Sequence, residues 1–212
     1  MKKNTILHKL SFSLCIIFSS LLFANGDHHS TAISSESKVV HEINKTPKDQ
    51  LIETKSCVSC DLSNITLHNL DLSEANLQGA NLTNTKLINV KLKGADLAYA
   101  NMSGAKLNNV DLEKIYGQNI NFSNATLQNV KLMESDFSFS NFERSQIKNS
   151  NLSDSIFNYV NFTRTKLFNV IYLNTSSIDA KFEKTISEKG LVTTGFTIME
   201  NNKWKKFYLH FL

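Results

Sequence analysis

The chain has 212 residues, 41% of them hydrophobic, with one proline and seven glycines, a composition that excludes a collagen-like or proline-rich fibre and allows one core of ordinary size with tails. The formal charge of +4 includes Lys2, Lys3 and Lys9, so the rest of the chain is close to neutral. That balance excludes a strong electrostatic field for nucleic acid.

The chain opens with an export pattern. Three lysines precede an uncharged run from Leu10 to Phe23, and Ala24-Asn25-Gly26 supplies small residues where a signal peptidase cuts, which predicts a signal peptide over residues 1–26. The run is too short for a membrane span, which takes roughly 20 residues, and Cys15 lies inside it rather than after it, so no lipid anchor is implied. The mature chain is expected in the periplasm or outside the cell, with no membrane partner after cleavage. Residues 27–46 are polar and aperiodic and read as a tether, too poor in apolar surface to offset the entropy of ordering. His28, His29 and His41 fall in it without fixed partners, so no metal site is expected. Thr46-Pro47-Lys48-Asp49 then carries an N-cap, a proline at the first helical position and an early acid, which predicts a short helix within an N-terminal cap over 47–59.

From Cys60 an apolar residue recurs at every fifth position, a period belonging to neither a strand nor a helix. In the series 62, 67, 72 and onward to 167, Gly117 alone among 22 positions is not Leu, Phe, Met or Ile. Two residues earlier the side chain is small or β-branched in nearly every case. Two residues later it is Asn or Gly at 13 of the 22 positions, the types that tolerate positive φ, so each five-residue cell is expected to end in a tight turn.

A twenty-residue period lies above the first. Asn69, Asn89, Asn109, Asn129, Asn149 and Asn169 recur in similar surroundings, so four cells make one coil and residues twenty apart stack about 4.8 Å from each other, as neighbouring strands do. The expected core then sorts into four stacks. One contains Leu82, Phe122, Phe142 and Phe162; the next Leu67, Leu87, Leu107, Leu127 and Leu167. The third holds Leu72, Leu92, Leu112, Leu132 and Leu152, and the fourth Leu77, Leu97, Phe137 and Phe157 with Gly117 between them. At Gly117 either Tyr116 turns inward or the coil bulges. Ser135, Ser140, Ser145, Ser150 and Ser155 fall in succession at the small inward position, and each hydroxyl needs a backbone carbonyl.

These cells, such as Ala75-Asn76-Leu77-Gln78-Gly79, resemble the pentapeptide-repeat family, whose consensus is close to Ala-(Asp/Asn)-Leu-x-x. The resemblance implies an all-β right-handed quadrilateral β-helix, a solenoid over residues 60–184, with short helical caps at both ends. Some members of that family imitate the DNA duplex with an acidic rod and protect topoisomerases. Residues 60–184 carry equal numbers of acids and bases, and export separates the chain from DNA, so that mechanism is rejected and no nucleic-acid partner is expected.

Both ends of such a coil need covers. In the segment 185–212, Trp204, Phe207, Tyr208 and Phe211 fall on one stripe of a helix, which reads as a C-terminal cap, or as a cap that also joins two copies into a homodimer.

No catalytic constellation is visible. Cys57 and Cys60 form the single CxxC, read as small inward residues or as a disulfide after export rather than a redox or zinc site. No cofactor is implied. Two surface columns remain: Asn81, Asn101, Asn121, Asn141 and Asn161, and the alternating Asp71, Lys91, Asp111 and Lys131, either satisfied within themselves or presented to a partner. The expectation is a non-enzymatic exported structural scaffold, or alternatively a secreted module binding a protein or a carbohydrate through one exposed face.

Overall fold

The computed structural model describes residues 45–188, 196–200 and 203–207. The signal and tether readings for residues 1–44, and the stripe positions Tyr208 and Phe211, lie outside them.

The chain enters through helix α1 (Pro47–Thr54). Thr46 Oγ1 accepts from the Asp49 N–H, the Asp49 carboxylate accepts from the Thr46 N–H, and Lys55 closes the helix at φ 53° with its N–H on the Leu51 carbonyl. A helix this short has little stability of its own; it is held by Leu51, which is fully buried. Cys57 and Cys60 follow, joined by a disulfide with Cα atoms 5.3 Å apart.

Seven short strands then form one parallel sheet in sequence order: β1 (Thr66–His68), β2 (Lys86–Ile88), β3 (Lys106–Asn108), β4 (Thr126–Gln128), β5 (Gln146–Asn151), β6 (Lys166–Ile171) and β7 (Ile186–Glu188). Leu67 pairs with Leu87, Leu87 with Leu107 and Leu107 with Leu127, a shift of one coil each time. The other three sides carry single parallel bridges in the same register, such as Asp61 to Asn81, Asp71 to Lys91 and Asn76 to Asp96. The result is the right-handed quadrilateral β-helix. The physical reason for four corners is at the turn position: every fifth residue from Ser59 to Lys184 has positive φ, between 50° and 70°. Asn and Gly accept that conformation at little cost.

The interior holds the expected stacks. Leu62 to Phe162, Leu67 to Leu167, Leu72 to Leu152 and Leu77 to Phe157 are all buried at their central positions. Rings stack along the coil at 4.9 Å (Phe122 and Phe142), 5.2 Å (Phe142 and Phe162) and 5.1 Å (Phe137 and Phe157), with Phe137 edge-on to Phe142 across the core. Gly117 neither bulges nor draws Tyr116 inward. Its N–H keeps the regular bond to the Asp136 carbonyl at 2.9 Å, and Tyr116 is 62% exposed. The space is taken by Ile115 and Ile120, whose Cδ1 atoms would lie 3.1 Å from a Cβ built on Gly117. Four of the five serines find carbonyls: Ser135 on Leu112, Ser140 on Gly117, Ser150 on Lys148 and Ser155 on Leu132. Ser145 Oγ is buried without a partner.

The C-terminal expectation is corrected. Trp204 and Phe207 lie on a strand, β9 (Lys203–Phe207), antiparallel to β8 (Phe196–Glu200), with Met199 opposite Trp204 and Phe196 opposite Phe207. Helical spacing of a few aromatics is a weak signal beside the β-formers Phe196, Thr197 and Ile198 on one side of Asn201-Asn202 and the alternating Trp204 and Lys205 on the other, with Asn-Asn a composition suited to a two-residue hairpin connection. No helical cap forms at residues 203–207.

Candidate interaction surfaces

Because residues twenty apart stack, the outer surface of the coil sorts into four sides, each with its own chemistry. They comprise residues 56–59, 61–64, 66–69 and 71–74 together with their equivalents every twenty residues. The first side is opposite the third, and the second opposite the fourth.

On the second side, the column Asn81 to Asn161 is largely spent on the coil itself. Each side-chain Oδ1 accepts the N–H two residues on, as Asn101 does from Ser103 and Asn121 from Ser123. The amides join in steps: Asn81 donates to Asp61, Asn121 to Asn101 and Asn161 to Asn141. The unbroken amide ladder is the other column, at the corner of the third side. Asn89 Nδ2 donates to Asn69 Oδ1 at 3.0 Å, and the pattern repeats through Asn109, Asn129, Asn149 and Asn169.

The fourth side carries the charge ladder in the expected alignment. Lys91 lies 3.8 Å from Asp71 and Lys131 3.7 Å from Asp111, with Lys93 to Glu113 at 2.8 Å and Lys114 to Glu134 at 3.2 Å beside them. Exposed pairs of this kind contribute little to stability, because solvent and salt screen them. Hydrogen bonds from the Ser73 side chain and backbone hold the Asp71 carboxyl below its ordinary range. Two shallow grooves of about 280 and 340 Å³ run between this ladder and the Asn column, lined by amides already bonded to one another.

The first side is different in kind. Its turn column reads Gly79, Tyr99, Asn119, Phe139, Tyr159, and the column across it reads Asp96, Tyr116, Asp136, Ile156. Tyr99, Phe139 and Tyr159 stand at φ 62°, 63° and 58° and are 64%, 59% and 52% exposed. Phe139 and Tyr159 stack outside the coil with centroids 4.9 Å apart and planes 3° apart. Aromatic residues in that backbone region cost more than the Asn or Gly found elsewhere in the series. Asp136 is half-buried; burial opposes its ionisation, but hydrogen bonds from the Ser138 side chain and backbone and from Gln118 outweigh it and keep the carboxyl below its usual range.

The near-zero charge of the coil also resolves by side. The first side bears Asp96, Asp136 and Asp179 and no cation. The third bears exposed Lys86, Lys106, Lys148 and Lys166 and no carboxylate before Glu188. Sequence reasoning missed this sorting by adding charges along the chain. It missed the aromatic edge by counting Asn and Gly in the turn series without asking what occupied the other positions.

Among the described residues no group of three or more His, Cys, Asp or Glu is placed to hold a metal ion, and no helix is long and apolar enough to cross a membrane. His68 is exposed on β1. Burial pushes the Tyr172 phenol well above its ordinary value, so it stays neutral in the core.

No curated protein matches the chain. Solved structures that resemble it include HetL, a pentapeptide repeat protein involved in heterocyst differentiation regulation from Nostoc sp. strain PCC 7120 (16% identity, 72% of this chain and 93% of that one, TM-score 0.31). A pentapeptide repeat protein from Cyanothece 51142 (16%, 66% and 92%, 0.26) and one from the thylakoid lumen of Arabidopsis thaliana (22%, 56% and 77%, 0.22) are also similar. The family profile described as pentapeptide repeats matches eight copies, over residues 60–97, 75–113, 118–154 and 135–171. The five-residue cell, the positive φ at every turn position and the match over half of the sequence agree, and the chain belongs to the pentapeptide-repeat family.

Proposed function

We propose that the protein is an exported, non-enzymatic scaffold that acts through the outer sides of its coil. The observation that carries this reading is the division of labour between inside and outside. The interior is filled by stacked Leu and Phe, and the amide and charge ladders are satisfied within the coil. The first side alone combines exposed aromatics, backbone strain and unopposed carboxylates. Catalysis needs groups converging in a concave site, whereas these residues lie along an edge. The signal-like residues 1–26 support export to the periplasm or beyond, which keeps the protein from nucleic acid.

A second reading, a secreted module that binds a protein or a carbohydrate, is favoured by the same edge, because clustered exposed aromatics mark interaction surfaces. Cell fractionation followed by pull-down with the purified protein tests both. A scaffold stays with the envelope fraction without a soluble ligand. A binding module retains a partner from envelope or medium and loses it when Tyr116 and Phe139 are replaced by Ser and Asn. Recovery of the protein from the cytoplasm would overturn the exported readings.

A further inference from the structure

We propose that copies of this chain associate side by side, with the first side of one copy lying against the third side of the next. This rests on the reading that the coil acts through its outer sides, and goes beyond it by naming the occupant of the aromatic edge.

Three observations carry the inference. Tyr99, Phe139 and Tyr159 occupy a backbone region that disfavours them while each residue is more than half exposed, and Asn119 in the same column is the type the fold prefers there. The stack between Phe139 and Tyr159 returns part of that cost within one coil, but it leaves the outer ring faces and Tyr99 uncovered. The opposite side holds Lys86 directly above Lys106 in the strand register, a like-charge pair that repels in a lone molecule. Lysines on one surface, with aromatic rings and the carboxylates Asp96 and Asp136 on the other, are complementary: ammonium groups sit over ring faces and pair with acids. Finally, the backbone of both surfaces repeats once per coil, so two coils laid side by side keep the same spacing along their whole contact, and lysines one coil apart face a column in which a ring, Tyr116, lies between the carboxylates Asp96 and Asp136.

Since the two halves of the contact lie on opposite sides of one molecule, the interface is heterologous. Each copy offers a free half to the next, so the assembly grows as an open row rather than closing as a two-fold dimer.

Sedimentation velocity on the purified protein tests this. At about 50 mM salt the average mass is expected to rise with concentration, and at about 500 mM to return toward the monomer, because charge pairing is screened. Two double variants locate the surfaces: Phe139→Asn with Tyr159→Asn, and Lys86→Glu with Lys106→Glu. Each alone is expected to lose association by roughly tenfold or more, while the first is expected to stay folded, the relief of strain at two turns offsetting the lost contact between the two rings. Mixed together, they should form a one-to-one complex and nothing larger, since each retains the half that the other lacks. If the glutamate pair fails to fold, Lys86→Gln with Lys106→Gln replaces it. A wild-type protein that stays monomeric at low salt, association that persists in both variants, or a mixture that forms no complex overturns the proposal. A monomer that still stays with the envelope fraction would remove this inference and leave the scaffold reading standing.

Discussion

At the scale of single residues, the turn position shows how one backbone angle divides structural from functional side chains. Wherever Asn or Gly stands there, the choice follows from positive φ; Tyr99 at φ 62° does not. Tyr99→Asn is expected to raise stability by about 0.5–1 kcal/mol by relieving that strain, read as a shift in the urea midpoint at unchanged slope. A loss of stability would mean that the ring contributes to the fold. Asp136 works in the opposite sense. Its carboxyl is depressed by Ser138 and Gln118, so its stabilisation is present above the unfolded carboxylate value of about 4 and is lost as pH falls through the lower folded value. Asp136→Asn keeps an oxygen for the Ser138 N–H and removes the titration. The fall in urea midpoint below about pH 4 should become shallower; an unchanged acid limb would assign the effect to other carboxylates.

At the scale of elements, the three-residue strands β1 to β4 are too short to stand alone, and each is held by the central side chain it adds to a stack. Leu107 on β3 is 1% exposed between Leu87 and Leu127. Leu107→Ala should cost about 2–5 kcal/mol, since neighbours fixed by their own coils cannot collapse into the void. A cost below about 0.5 kcal/mol by denaturant unfolding would contradict the stacking. This part of the fold was legible because a period of five belongs to neither a strand nor a helix, and the twenty-residue period above it places Leu87, Leu107 and Leu127 in one stack. Residues 203–207 were not: Trp204 and Phe207 fit helical spacing, yet five residues sample too little of any period to choose between helix and strand. Gly117 was half legible, since the missing side chain could be read but its replacement by Ile115 and Ile120 depends on branched residues from neighbouring cells meeting in space. The candidate surface was the least legible, because Asp96, Tyr116 and Asp136 become one column only when their coils are stacked.

For the coil as a whole, interior size changes along its length. The stacks begin with Leu62, Leu67 and Cys57, pass to Phe rings from Phe122 onward, and fade where Ser177 takes a central position and Phe182 is only half-buried. Each coil touches only its neighbours, so stability is a sum of local terms and interfaces. The polar sides follow the same rule. What twenty residues decide in one coil is repeated in the next, and a side acquires its character only when substitutions accumulate in register, as on the first and third sides.

The backbone bonds that join the coils, such as Leu77 N–H to Asp96 O and Leu97 N–H to Tyr116 O, run along the axis of stacking. A force applied to the two ends of the coil therefore pulls on them lengthwise, one interface after another, instead of shearing many at once. Under load the protein should yield as a spring that loses one winding at a time, each event releasing about 60–70 Å of slack chain. A single long release in force spectroscopy would show that the windings are coupled far more tightly than their nearest-neighbour contacts require. Such a material gives way gradually and from its ends, where Phe182 and the last windings hold the thinnest core.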